Sequence, residues 1–254
     1  MASPAEPHPR GLFVMDLDGT LLDRDGRIAE RNFAAMRRAS SEGIALAIVT
    51  GRRRSTFRPE RARFEGIALR ASVSNGSVLL SADNETVERV HEISWSGFER
   101  ACQMLPRRGI KACIAVTLPP VPAPGEPELP DALIFVAGRG FYHAASPWEP
   151  ERQIASRQFA ISAEAAMSRP LVHAAFHVAN SELAAGLVPL IAEAYGKDAL
   201  VYATPPPRAG GVLIDVLARG GKGLAIADLA SSLRVSREAI AAIGDERNDL
   251  PLLE

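Results

Sequence analysis

Two short stretches, far apart in the chain, have the residue types and spacing to hold a charged ligand. Asp16 and Asp18 stand one residue apart directly after the apolar run Leu12, Phe13, Val14 and Met15. That run reads as a buried strand, and an acidic pair at its carboxyl end falls where open α/β sheets keep their ligands. Taken alone, the pair suits a turn equally well, because Asp and Gly are common turn residues. The second stretch begins with the apolar run Ala239 to Ile243 and continues as Gly244-Asp245-Glu246-Arg247-Asn248-Asp249. If Asp16, Asp18, Asp245 and Asp249 meet at one sheet edge they repel, since two unit charges about 4 Å apart cost roughly 4 kcal/mol at an effective dielectric near 20. A cation must then sit among them. Hard oxygen donors with an open position select Mg²⁺, which takes few protein ligands and keeps several waters.

The elements that must position these residues read as alternating strands and helices. Ala29 to Gly43 carries Phe33, Met36 and Ala39 among charged residues, an amphipathic helix that Gly43 can end. Ile44 to Val49 is a second buried strand. A strand, helix and parallel strand return the chain in one direction, so Thr50 and Gly51 arrive at the same sheet edge as Asp16. A hydroxyl there can bind a phosphate oxygen. Ala71 to Asn75 reads as a third strand ending in an Asn75-Gly76 turn at that edge. Gly220, Gly221 and Gly223 surround Lys222 ahead of the amphipathic stretch Leu224 to Leu233. Glycines at a helix start let the backbone approach an anion, and the helix end adds partial positive charge beside the lysine.

Between residues 83 and 219 the pattern changes. Lys111 to Thr117, Leu133 to Ala137, Val172 to Ala179 and Val212 to Leu217 are strand-like, with helices near Ser96 to Arg108 and Ser181 to Tyr195. This is an α/β module inserted into a core formed by residues 1–82 and 220–254. Pro119 to Pro130 and Pro205 to Gly211 are too proline-rich for regular structure. The arginines Arg52, Arg53, Arg54, Arg58, Arg61 and Arg63 crowd one helix, but few aromatics interleave them and Glu60 and Glu65 dilute the charge, which favours a solvated face over a nucleic-acid patch. His173 and His177 share one face of a strand and read as satisfied sheet histidines. Trp95, Trp148 and Phe141 read as packing residues.

With 254 residues, 47% apolar and 23% charged, the chain can bury a sizeable core. A net charge near −1 gives no global attraction to nucleic acid or an anionic membrane. Cys102 and Cys113 form no C-x-x-C pair, which argues for a reducing compartment and against structural zinc. MASPAEPHPRG lacks an apolar export segment and no run of about 18 apolar residues occurs, so a cytoplasmic location with no membrane partner is the expectation.

Asp16-Leu17-Asp18-Gly19-Thr20 resembles the first motif of the haloacid dehalogenase-like hydrolases, a phosphatase superfamily with an aspartate nucleophile. Thr50-Gly51-Arg52 resembles the second motif, Lys222 with its glycines the third, and Gly244 to Asp249 the fourth, in the expected order. With Ser74-Asn75-Gly76 the chain is most similar to the Cof-like subgroup of capped sugar-phosphate-type phosphatases. The resemblance implies a doubly wound parallel sheet, a Rossmann-like α/β core, whose inserted module is a cap that chooses the substrate. It also implies Mg²⁺-dependent hydrolysis of a small phosphorylated metabolite through an aspartyl-phosphate. In that scheme Asp16 attacks phosphorus, and Asp18 protonates the leaving alcohol and then deprotonates water. The metal is held by the Asp16 carboxylate, the Asp18 backbone carbonyl and Asp245. Thr50, Gly51, Arg52, Asn75, Lys222 and Asn248 surround the phosphate, and Asn248 and Asp249 orient Lys222 or a metal-bound water.

The family usually continues past its fourth motif with a helix, a strand and a final helix, whereas this chain stops at Leu252-Leu253-Glu254. The expectation is a truncated core whose strand Ala239 to Ile243 is an apolar edge, giving a monomer of reduced stability or a dimer through that edge. Two other functions share the same motifs: a phosphate-ester binder with little turnover, and a phosphomutase whose cap excludes water.

Overall fold

The computed structural model describes residues 8–104, 112–120, 129–136, 139–143, 160–204 and 211–254. The chain divides into two compact units, Met1–Val90 with Gly220–Glu254, and His91–Arg219. The first begins with β1 (Gly11–Met15), whose apolar residues are almost wholly buried. Helix α1 (Glu30–Ser41) follows and leads through Gly43, at φ 82°, into β2 (Ile44–Val49). Only a residue without Cβ adopts that left-handed turn at no cost. Helix α2 (Arg54–Arg61) buries Phe57, and β3 (Leu69–Val73), β4 (Val78–Leu80) and β5 (Val87–Val90) complete this half. β5 pairs with β4, so the first sheet runs on to Val90, past the boundary at residue 82 that composition suggests. Its charged, exposed residues carry no strand signal, and ion pairs hold it instead: Arg89 to Asp228 at 3.0 Å and Glu88 to Arg70.

The inserted unit is antiparallel. Helix α3 (Trp95–Met104) precedes β6 (Ala112–Thr117), β7 (Ala132–Val136), β8 (Gly140–His143) and β9 (Ala160–Ile161). Helix α4 (Ala163–Met167), β10 (Leu171–Val178), α5 (Ser181–Tyr195), β11 (Ala199–Thr204) and β12 (Val212–Ala218) follow, and the strands lie in the order β11-β12-β10-β6-β7-β8-β9. Phe98 of α3 packs among Trp95, Phe135, Phe141 and Phe176, the aromatic centre of this unit. Trp95 and Phe141 are thus packing residues, as expected; Trp148, residues 121–128 and residues 205–210 lie outside the described residues. Asn180 caps α5 by accepting the Leu183 amide at 2.9 Å. Cys102 and Cys113 are free and buried, and burial pushes the Cys102 thiol up, which keeps it protonated and unreactive. His173 is satisfied within the sheet by Asp215, 2.8 Å away.

The chain returns to the first unit through Gly220 and Gly221, at φ 104° and 49°, into α6 (Lys222–Leu233), then β13 (Ile240–Ile243) and α7 (Leu250–Leu253). The core sheet is ordered β13-β1-β2-β3-β4-β5, with β13, β1, β2 and β3 parallel and β4 and β5 antiparallel. Leu12, Val14, Ala47, Val49 and Leu79 meet Ala225, Leu229, Val235 and Leu252 across one face, each large side chain contributing about 1.5–3 kcal/mol by leaving water. β13 lies at the edge of the sheet, as expected for Ala239 to Ile243. It is the outermost strand, its residues alternate between half-buried and exposed, and Ile243 is 46% exposed. No helix among the described residues is long and apolar enough to cross a membrane.

Candidate active site

Parallel topology brings the ends of β1, β2, β3 and β13 to one edge, and short backbone bonds tie them together. The Asp16 amide donates to Ile243 O at 2.9 Å, joining the ends of β1 and β13. Thr50 N–H donates to Ser72 O, Asn75 N–H to Thr50 O and Ser74 N–H to Arg52 O, joining the ends of β2 and β3. Ser74 and Asn75 both adopt left-handed φ near 50°, a conformation Asn tolerates and Ser rarely adopts. The turn brings Gly76 against α6, where a Cβ would stand 2.5 Å from Gly221 O. Glycine is required there because the backbones touch.

At this edge Lys222 is 1% exposed, and its ammonium group donates to Asp16 Oδ1 at 2.5 Å and Asp249 Oδ1 at 2.6 Å. The other Asp249 oxygen accepts the amides of Asp245 and Glu246 at 3.1 and 2.9 Å. Asp249 is thereby fixed from both sides and in turn fixes the lysine. Asp245 accepts the Thr20 hydroxyl at 2.6 Å, and Gly19 at φ 89° lets the first loop pass so close that a Cβ would lie 2.5 Å from its carboxylate.

Carboxylate oxygens of Asp16, Asp245 and Asp249 lie within 4.8 Å of one another. One ammonium group offsets only part of that charge. The excess negative charge and the hard oxygen donors fit a divalent cation of the Mg²⁺ type.

Burial pushes the Asp16 carboxyl up from 3.8 to about 6; the Lys222 charge and hydrogen bond oppose this, and Asp249 adds to it. A carboxyl whose folded pKa lies above its unfolded one contributes stability that is full below the unfolded value and lost as pH rises through the folded value. Metal-free protein is therefore expected to lose stability as pH rises from about 4 through about 6 on this account, and Asp16→Asn to flatten that slope. Urea midpoints of both proteins across the range, in chelator, measure it.

Asp18 does not join the acidic cluster. Its two oxygens accept from Arg52 Nε at 2.8 Å and Nη2 at 2.6 Å, a bidentate pair, and the carboxylate is about half exposed. Arg52 Nη1 donates to Glu60 at 2.7 Å. The Asp18 hydrogen bonds, with those of Glu60 and the charge of both carboxylates, outweigh partial burial and raise further an Arg52 pKa that is already high. Thr50 is wholly buried, and its hydroxyl oxygen accepts the Arg52 amide at 3.1 Å. Asn248 Nδ2 donates to Asn75 Oδ1 at 3.1 Å, while Asn248 Oδ1 is buried with no partner. Gly51 packs closely on the Asn75 amide, where a Cβ would stand 3.1 Å from Oδ1. The other arginines of this stretch are neither a bare patch nor a purely solvated face: Arg58 and Arg61 of α2 pair with Glu85, and Arg63, just past the helix, with Glu60.

Sequence reasoning left out Thr20 and Glu60. Thr20 directly follows the first acidic loop and could have been included on position alone. Glu60 stands among arginines and gives no signal of its own.

A protein-family model described as haloacid dehalogenase-like hydrolase matches residues 13–117 and 206–254. No curated protein sequence matches the chain. Among solved structures, the fold resembles the phosphatase BT1666 from Bacteroides thetaiotaomicron, at 19% identity and TM-score 0.65 over 99% of this chain and 83% of that one. It also resembles TM0651 from Thermotoga maritima, at 16% identity and TM-score 0.62 over 95% and 82% of the two chains. A third similar structure is BT4131, described as a HAD subclass IIB sugar phosphatase, at 18% identity and TM-score 0.62 over 95% and 83%. Identities this low speak for the fold, and the family model spans more than half of the sequence and all four motifs. The α/β core with its parallel sheet, the inserted second unit and the ordered motifs agree with that match, and the chain belongs to the haloacid dehalogenase-like hydrolase family.

Proposed function

We propose that this protein is a Mg²⁺-dependent phosphatase that hydrolyses a small phosphorylated metabolite, of the sugar-phosphate class, through an aspartyl-phosphate on Asp16. The observation that carries the reading is Lys222, buried and bonded to both Asp16 and Asp249 beside a cluster of three carboxylates. A buried ammonium group next to a nucleophile suits a reaction in which negative charge arrives and must be offset. Asp16, Asp245 and the Asp18 carbonyl would hold the metal, which supplies charge neutralisation and orients the phosphoryl group.

An Asp16 oxygen bonds to phosphorus as the ester P–O bond breaks, and the alcohol leaves with a proton from Asp18. Water then attacks phosphorus, giving its proton to Asp18; inorganic phosphate departs and Asp16 is restored. Lys222 offsets charge on the phosphoryl oxygens throughout, and the Thr50 hydroxyl donates to one of them. Arg52 and Asn248 take the others, with Gly51 and Asn75 shaping the turn that faces them. Because Arg52 grips both oxygens of an Asp18 carboxylate, Asp18 must leave that pair and take up a proton from solvent before it can protonate the leaving group.

The core of Met1–Val90 and Gly220–Glu254 carries the chemistry in this proposal, and the inserted unit selects the substrate. The sugar phosphatase among the similar structures supports the substrate class. Phosphate release from p-nitrophenyl phosphate and a panel of sugar phosphates tests it. Turnover with Mg²⁺, abolished by chelator and restored by added metal, is expected. Binding of the esters without turnover by the wild type would replace the phosphatase with a binder.

A further inference from the structure

Arg52 is held at three of its nitrogen–hydrogen groups. The Nε and Nη2 edge faces Asp18, while Nη1 donates to Glu60 Oε1 at 2.7 Å. Glu60 lies two turns further on, at the end of α2, with its side chain 14% exposed. Its second oxygen stands 2.7 Å from Arg63 Nε, a contact of charge without the alignment of a hydrogen bond. Glu60 therefore sits between two guanidinium groups and cannot turn without giving up an ion pair to one of them. No motif of the family match assigns it a role, and it touches none of the cluster formed by Asp16, Asp245 and Asp249.

The Nε and Nη2 edge of an arginine presents two parallel donors, which match the oxygens of a carboxylate or of a phosphate. Only one such group can occupy the edge at a time. We propose that Glu60 is a positioning residue: it anchors Nη1 so that this edge faces the strand-end crevice, holding Asp18 before substrate arrives and two phosphate oxygens afterwards. The inference rests on the phosphatase reading for its substrate and on the Arg52 contacts for its geometry. Entry of the ester phosphate displaces Asp18 from the arginine, which frees the acid for the leaving group at the moment substrate is bound. Without the anchor, Arg52 samples its other rotamers and greets phosphate with its edge misaligned.

The sign of the effect separates positioning from charge. Removing a nearby carboxylate raises the local positive potential, so a purely electrostatic Glu60 would make phosphate bind more tightly when lost. A positioning Glu60 does the reverse. Glu60→Ala is expected to raise KM for p-nitrophenyl phosphate and the inhibition constant of inorganic phosphate by about tenfold, the size of one lost charge-assisted contact, with kcat changed less than about threefold. Glu60→Gln keeps an acceptor for Nη1 and should fall between Ala and wild type; it serves alone if Glu60→Ala fails to fold, as judged by circular dichroism. Loss of active enzyme through misfolding lowers apparent kcat and leaves KM and the inhibition constant unmoved. Unchanged or tightened phosphate binding in a folded variant overturns the proposal. If the wild type turns over no ester, the phosphatase reading alone fails, and Glu60 is judged by calorimetric affinity for inorganic phosphate. A wild type that neither turns over esters nor binds phosphate overturns both.

Discussion

Asp16→Asn is expected to lower turnover of phosphate esters at least about a thousandfold while the protein stays folded. The amide has nearly the shape of the carboxylate and cannot form the acyl phosphate. Folding should survive because Lys222 keeps Asp249, whose other oxygen remains fixed by the Asp245 and Glu246 amides. Desolvation already disfavours the Asp16 charge, so a neutral side chain there should cost little in metal-free protein. Steady-state rates with Mg²⁺, beside circular dichroism of both proteins, measure the effect. Turnover within tenfold of wild type would remove Asp16 from the chemistry.

Lys222→Met is expected to damage stability and activity together. The ammonium group bridges Asp16 and Asp249, which are 4% and 1% exposed. Removing one partner of a buried ion pair leaves uncompensated charge and costs about 3–5 kcal/mol. The urea midpoint should fall accordingly in chelator. Added Mg²⁺ should recover part of the loss, because a cation bound at the carboxylates stabilises only the folded state. Turnover should drop at least about a hundredfold even where the variant is folded, since the offsetting charge on the phosphoryl oxygens is gone. An unaltered midpoint would mean that the buried carboxylates are already neutral without the lysine.

The site was legible in sequence to the extent that strand ends are. Met15-Asp16, Val49-Thr50 and Ile243-Gly244 each mark the place where an apolar run stops, and parallel pairing of β1 with β2 and β13 carries those stops to one edge. The Lys222 helix start was readable from its glycines. The Asp18 pair with Arg52, 34 residues away, was not, because side-chain partners across a fold leave no periodic trace. Glu60 was hidden for the same reason. β5 was missed because Val87-Glu88-Arg89-Val90 lacks a buried face, and β8, β9 and β11 because short or half-buried strands show little alternation. The edge position of β13 was expected; its alternation between half-buried and exposed residues was not, because the apolar run Ala239 to Ile243 shows no such period.

The most direct measurement is a rapid acid quench of the enzyme during turnover, followed by mass spectrometry of the peptide that contains Asp16. With p-nitrophenyl phosphate, whose leaving group needs little help from an acid, Asp18→Asn slows the second step more than the first and allows the adduct to accumulate. Added mass of one phosphoryl group on Asp16, absent from Asp16→Asn, is the expected result. Sustained turnover with no phosphorylated Asp16 in either the wild type or Asp18→Asn would contradict it.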